Sequence, residues 1–155
     1  MDLSGPKMAE SLGRKQYTLI VRDNFSRDMW VYFMRHKSDA TGLFGQFLTD
    51  TCADGVPSKV VIARTGGGGE FQVGEFGDLC ISRSIKQEIT TADSPQFNEI
   101  AERPLGLIET AAMAGRIQAR DLFPGAQFPA TASLWAEASH WVRDSLNRTA
   151  TIANP

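Results

Sequence analysis

The segment VVIARTGGGGEF, residues 60 to 71, begins as an apolar run and then passes through four consecutive glycines. The run SKVVIA (58–63) is bounded by Pro57 and by these glycines, which predicts a parallel strand that is buried on both faces. In open α/β sheets, ligands bind at the carboxyl ends of the strands. The glycine loop at 66–69 is therefore the first candidate functional segment of the chain.

Two interpretations of the glycine loop follow from its residues alone. Glycines let backbone N–H groups approach a phosphate, but the loop lacks the G-x-x-x-x-G-K-[ST] pattern. It also lacks G-x-G-x-x-G, because Phe71 occupies the position of the last glycine. A flexible turn is the alternative, and the residues favour the turn over a nucleotide site.

Strand and helix patterns alternate on either side of the loop. Residues 17–23 and 29–35 are rich in β-forming side chains and flank the turn residues NFSRD, which predicts a β-hairpin. Ser38 is the predicted N-cap of a helix with the apolar stripe Ala40, Leu43, Phe44, Phe47 and Leu48. The remaining predicted elements are a helix at 75–84, a strand at 85–90, a helix from about 102 to 120 and a last helix at 133–148.

Length and composition predict one folded domain over residues 1–155. The chain is 42% hydrophobic and 22% charged, and no apolar run approaches the roughly 18 to 20 residues that span a bilayer. We expect no membrane partner, and no secretory signal is visible in the first residues of the sequence, so the expected location is the nucleus or the cytoplasm. Cys52 and Cys80 are too few for a disulfide framework and are expected to pack against helices. With a net charge of −2, any binding of nucleic acid would depend on a local basic patch.

Five separated motifs resemble those of one known family. The motifs are DLSGP (2–6), DNFSRDMWVYFMRHKSDA (23–40), RTGGGGEF (64–71), SPQFNEIAER (94–103) and LWAEASHWVRDSLNR (134–148). In their order and spacing they resemble the integrase core of copia-type LTR retrotransposons, over nearly the whole chain. The resemblance implies an α/β fold of the RNase H-like class, a mixed five-stranded sheet flanked by helices.

The same resemblance implies a catalytic site of three carboxylates that hold two Mg²⁺ ions. Asp2 matches the first acid and Glu102 matches the third, so these two are the candidate catalytic and metal-binding residues. Gly66 stands where the family has its middle Asp, since the 35 residues between it and Glu102 match the family's spacing. Glu70 is a weaker substitute, because it matches the EF pair that accompanies the Asp. The implied cofactor is Mg²⁺ or Mn²⁺, weakly bound at most.

Two departures from the family pattern add to the missing acid. Arg22 replaces the first member of an Asp pair, whose second member, Asp23, is not a metal ligand in the family. Glu99 replaces a glycine and adds a negative charge where DNA phosphate would pass. Both changes are expected to disfavour catalysis on DNA.

Two further features affect the positions of the acids themselves. Pro104 would distort a helix that began near Asn98, and the distortion would displace Glu102. Met1 directly precedes Asp2, so the first strand is expected to be truncated at its N-terminus and prone to fraying. Each feature would loosen the geometry of the site.

DNA is the partner that the resemblance implies. The residues expected to contact it are Lys7, Arg64, Lys86, Gln96, Asn98 and Arg103. Taken singly, such cations are more often solvated surface charges. Trp135 and Trp141 are expected in the core, and a homodimer interface is the alternative for them. We expect no small-molecule substrate.

The sequence thus predicts an integrase-type polynucleotidyl transferase core from a mobile element, impaired in catalysis because position 66 is glycine. Two alternatives stay open. One is a non-catalytic module that binds DNA or oligomerises, and the other is a decaying copy without a function. Metal binding by the isolated chain is the observation that best separates them.

Overall fold

The computed structural model describes residues 1–52, 60–72, 74–90, 95–127 and 131–149. The strands are β1 (Asp2–Ser4), β2 (Tyr17–Arg22), β3 (Met29–Met34), β4 (Ile62–Thr65) and β5 (Lys86–Ile89). The helices are α1 (Ala40–Asp50), α2 (Gly69–Gln72), α3 (Glu75–Ser82), α4 (Pro95–Leu122) and α5 (Trp135–Asn147). Short 3₁₀ turns at Lys37–Asp39 and Thr131–Leu134 lead into α1 and α5.

The strands form two hydrogen-bonded groups, one antiparallel with three strands and one parallel with two. β2 pairs in antiparallel orientation with both β1 and β3, and β4 pairs in parallel orientation with β5. The two groups meet where the backbone nitrogen of Met1 donates a hydrogen bond to the carbonyl of Arg64, at 2.6 Å. This contact places the start of β1 beside β4, and the predicted β-hairpin is the β2–β3 pair.

Helices cover both faces of the β1–β2–β3 group because β2, its middle strand, is apolar on both sides. Leu19 and Val21 of β2 pack into a cluster with side chains of α1 and α3, and Ile20 packs into a second cluster with α4 and α5. Burying an aliphatic or aromatic side chain of this size contributes about 1.5 to 3 kcal/mol. The two clusters therefore hold the four longer helices against the sheet.

The structure corrects two local predictions. The N-cap of the turn that leads into α1 is His36 and not Ser38, and the carboxylate of Asp39, three residues later, accepts hydrogen bonds from the backbone N–H groups of Arg35 and His36. The strand expected at 58–63 is found further along the chain as β4, closer to the glycine loop. Residues 58 and 59 of the expected strand lie outside the described residues. β4 alternates exposed and buried residues, so it is buried on one face only. The other face is open because α4 packs over β1 and β2.

The long helix α4 begins earlier than predicted and is not interrupted. It spans 28 residues from Pro95 and passes through Pro104 without a break. Pro104 is buried and cannot donate to the carbonyl four residues earlier. The helix continues because Leu105 and Ile108 are buried against the sheet directly afterwards. In the described part of the chain, neither α4 nor any shorter helix is apolar and long enough to cross a bilayer.

The two tryptophans of the last helix have different environments. Trp135 is buried as expected, and its indole N–H donates to the carbonyl of Ala9 at 2.9 Å. Trp141 is 65% exposed, so its predicted place in the core is wrong. Cys80 packs in the core as predicted, whereas Cys52 is half-buried at the end of α1.

Candidate functional site

Asp2 lies on the face of the sheet that α4 covers. Its partner across the β1–β2 ladder is Ile20, and Ile20 packs with Leu105 and Ile108 of α4. Side chains that pair across neighbouring strands lie on the same face. The half-buried Asp2 carboxylate therefore points to the α4 side, where its Oδ1 accepts a hydrogen bond from the N–H of Leu3 at 2.9 Å.

Gly66 follows β4 directly and lies beside Asp2. Ala63 and Thr65 are buried on the α1 and α3 side, so the alternation along β4 places Arg64 and position 66 on the side of Asp2. A Cβ atom built on Gly66 would lie 3.9 Å from Asp2 Oδ1, which is ordinary van der Waals contact. A side chain at this position would thus fit and would share its space with the Asp2 carboxylate.

Glu102 is the eighth residue of α4, the helix that packs against β1 and β2. The side chains of Glu102, Gln96 and Asn98 lie outside the described part of the structure, which places only their backbone on this helix. The helix and the Asp2 carboxylate therefore lie on the same side of the sheet.

The residues present do not fit a two-metal centre. Within the described ranges, no three His, Cys, Asp or Glu side chains come together as metal ligands. Asp2 and Glu102 would supply a charge of −2, whereas two divalent ions about 4 Å apart repel each other by roughly 16 kcal/mol at an effective dielectric constant of 20. This set of donors suits at most one weakly held divalent ion.

The Glu70 carboxylate lies more than 4 Å from a Cβ atom built on Gly66. Its side chain folds back over its own loop, where a Cβ on Gly68 would lie 2.5 Å from Glu70 Oε1. Among the described side chains, Asp2 alone comes within 4 Å of a Cβ built on Gly66. The glycine at 68 permits the folded-back position of Glu70, and that position keeps the carboxylate on its own loop.

Glu88 of β5 forms ion pairs with two of the candidate DNA-binding cations. The Arg64 guanidinium donates to Glu88 Oε2 at 2.9 Å, and the Lys86 ammonium donates to Oε1 at 3.1 Å. These hydrogen bonds, first from Arg64 and then from Lys86, hold the pKa of Glu88 below its usual range. The exposed face of β4 and β5 thus carries a net charge of one from these three groups.

Lys7 is also paired with an acid of its own chain. Its ammonium contacts the carboxylate of Glu109 on α4 and the hydroxyl oxygen of Ser4, the latter at 2.9 Å. Arg103 is exposed on the first part of α4. Within the candidate set, three cations are therefore already engaged by acidic side chains.

Asp23 belongs to the turn between β2 and β3. Its carboxylate accepts a hydrogen bond from the backbone N–H of Ser26 at 2.7 Å. Burial raises the pKa of Asp23, but the hydrogen bonds from the backbone and side chain of Ser26 outweigh burial and hold it below its usual range. The carboxylate is thus used to close the hairpin.

The sequence prediction missed the acids that engage the cations. Lys86 and Glu88 are two residues apart on one strand and therefore share a face, which is a signal that was available. Glu109 is separated from Lys7 by 102 positions, and no local pattern links them. Only the packing of α4 against β1 brings that pair together.

No protein-family model matches the chain. Over 102 residues, or 66% of its length, the chain is 33% identical to the Retrovirus-related Pol polyprotein from transposon TNT 1-94 of Nicotiana tabacum. The matched stretch is 8% of that polyprotein, so the chain corresponds to a small part of this relative.

Solved structures of viral integrase cores are similar over 97% of the chain. The catalytic core domain of BIV integrase has a TM-score of 0.62, with 12% identity and 84% of that chain covered. The catalytic core domain of HTLV-2 integrase in complex with magnesium, in a trimeric form, has a TM-score of 0.56, with 17% identity and 88% of that chain covered. At these identities the likeness shows the fold, and it confirms the predicted RNase H-like class.

Proposed function

We propose that this chain, which has an integrase-like core, is a DNA-contacting domain of a mobile-element integrase. We also propose that its catalysis is impaired because residue 66 is not an acid. One observation carries the proposal. A side chain at position 66 would start 3.9 Å from Asp2 Oδ1, yet the residue there is glycine and has no carboxylate.

The missing acid weakens metal binding through charge. A two-metal phosphoryl transfer places a charge of +4 in the site, and the ions must be held close together by carboxylates. Asp2 and Glu102 leave a shortfall of two charges, whereas an aspartate at position 66 would reduce it to one. The similar HTLV-2 core is a complex with magnesium, which supports a divalent metal as the ligand of the intact site.

DNA binding by the domain is proposed to be weak and independent of sequence. The chain has a net charge of −2, and Lys7, Arg64 and Lys86 are paired with its own acids. The contacts proposed between these cations and DNA are contacts to phosphates, and phosphate contacts carry no sequence information directly. The transposon origin of the similar polyprotein supports DNA as the partner, and we propose the nucleus or the cytoplasm as the location.

The test restores the carboxylate and measures metal binding. We expect Gly66→Asp to tighten Mn²⁺ binding at least about tenfold in calorimetry, because 1.4 kcal/mol of added attraction already gives that factor. Gly66→Asn is the matched control, since it adds the same volume without the charge. Gly66→Asp combined with Glu102→Gln is expected to lose the gain. Equal affinity in all four proteins would refute the proposal.

A second function, oligomerisation without catalysis, is favoured by Trp141. The side chain lies on α5 beside Gly115 of α4 and is 65% exposed. Tryptophan is enriched at protein interfaces, so an exposed tryptophan favours a contact with another protein. One similar integrase core has a trimeric form, which supports self-association in general. We propose a homodimer that buries Trp141 as the form to test.

A further inference from the structure

Lys7 and Glu109 connect the two elements that carry the predicted acids. The Lys7 ammonium contacts the Glu109 carboxylate and the hydroxyl oxygen of Ser4. Ser4 ends β1, the strand of Asp2, and Glu109 belongs to α4, the helix of Glu102. The charged side chains of the pair are partly buried, with 21% and 38% of their surfaces exposed.

The backbone around Lys7 is fixed to the sheet. Gly5 has a φ of +126°, and a Cβ there would lie 2.6 Å from the carbonyl oxygen of Gln16, so the turn after β1 requires glycine. Two residues later, the N–H of Lys7 donates to the same Gln16 carbonyl at 2.8 Å. The Lys7 ammonium therefore reaches α4 from an anchored position.

Helical geometry transmits the position of Glu109 to Glu102. Seven residues span almost two full turns of an α-helix, about 10.5 Å along its axis, so both positions lie on the same side of α4. The adjacent stripe of Leu105, Ile108 and Ala112 is buried against the sheet. Apolar contact of this kind is not directional, whereas a charge-assisted hydrogen bond has a specific geometry. The ion pair can thus determine the register of α4, that is, its position along its own axis relative to β1, which the apolar stripe leaves open.

We infer that the Lys7–Glu109 ion pair is a positioning clamp that sets the register of α4 against β1 and thereby the spacing between positions 2 and 102. The inference rests on the proposed function, because that spacing matters only if Asp2 and Glu102 share a site. In this inference the partner of the Lys7 ammonium is Glu109 of the same chain, and not a DNA phosphate.

A cross-linking experiment tests the clamp without metal. The parent carries Asp2→Cys, Glu102→Cys and Cys52→Ser, and a short bis-maleimide joins the two new thiols; Cys80 is buried. We expect Glu109→Gln to slow cross-linking about tenfold, because reaction between held groups depends steeply on their spacing. Lys7→Met must give the same loss. The exchange of Lys7→Glu with Glu109→Lys must restore the rate, which a general loss of stability would not allow.

Metal binding supplies a second readout. In the Gly66→Asp protein, we expect Glu109→Gln to weaken Mn²⁺ binding about tenfold, because the spacing between two of the proposed ligands is then no longer fixed, and we expect the exchanged pair to recover it. Unchanged cross-linking in Glu109→Gln and Lys7→Met, or no recovery with the exchanged pair, would overturn the clamp. If Gly66→Asp gains no metal affinity while cross-linking still follows the ion pair, the proposed function fails and the clamp stands.

Discussion

Glu88→Gln is expected to strengthen the binding of DNA to the open face of β4 and β5. Arg64 and Lys86 both donate to the Glu88 carboxylate, so the three groups together carry one positive charge. The substitution raises that charge to two and releases a cation for a phosphate. Each neutralised phosphate contributes about −0.9 to the slope of log K against log salt concentration. The slope should therefore become steeper by about 0.9.

Fluorescence anisotropy of a short labelled duplex, measured from about 50 to 200 mM salt, tests this slope. Over that range, the extra 0.9 corresponds to an additional loss of affinity of about 3.5-fold, from a tighter starting value. Glu75→Gln is the matched control. It makes the same change in net charge at an exposed position on α3, which packs on the opposite face of the sheet.

Two results would refute this reasoning about DNA. If Glu88→Gln and Glu75→Gln shift the slope equally, the effect belongs to net charge and not to the β4–β5 face. If neither changes the slope, Arg64 and Lys86 do not contact DNA and should be removed from the candidate site. Sequence-selective binding that persists at high salt would indicate direct readout of bases instead.

Trp141→Glu is expected to convert a homodimer into a monomer in sedimentation velocity, because it puts a charge into the buried centre of the contact; a natural chain that is already monomeric would contradict the homodimer. Burial, with a further contribution from the Asp50 carboxylate, raises the pKa of Tyr32 to about 12. The stability linked to the neutral phenol is therefore complete below the pKa of an unfolded tyrosine, about 10, and is lost as the pH rises through about 12. In an alkaline absorbance titration, we expect this late ionisation to disappear in Tyr32→Phe and to move to lower pH in Asp50→Asn. An unchanged midpoint of the tyrosine ionisation in Asp50→Asn would exclude the Asp50 carboxylate as a cause of the raised pKa.

Local patterns predicted most elements because their causes lie within a few residues. The β-forming side chains of 17–23 and 29–35 and the turn residues between them were sufficient for the hairpin, and the apolar stripe at 40–48 was sufficient for α1. The N-cap was misassigned to Ser38 because the helical turn begins earlier, at His36, whose backbone N–H donates to the Asp39 carboxylate. β4 was expected to be buried on both faces because its sequence is apolar, but α4 covers other strands.

The sequence by itself determined the order of the elements, the motif spacing that assigns position 66, and the absence of a carboxylate there. Only the tertiary structure decided that Gly66 lies beside Asp2, that Glu88 and Glu109 engage the candidate cations, and that Trp141 is exposed. The physical reason is the range of each interaction. Propensity and periodicity act between neighbours along the chain, whereas burial and ion pairing depend on which distant surfaces the packed helices bring into contact.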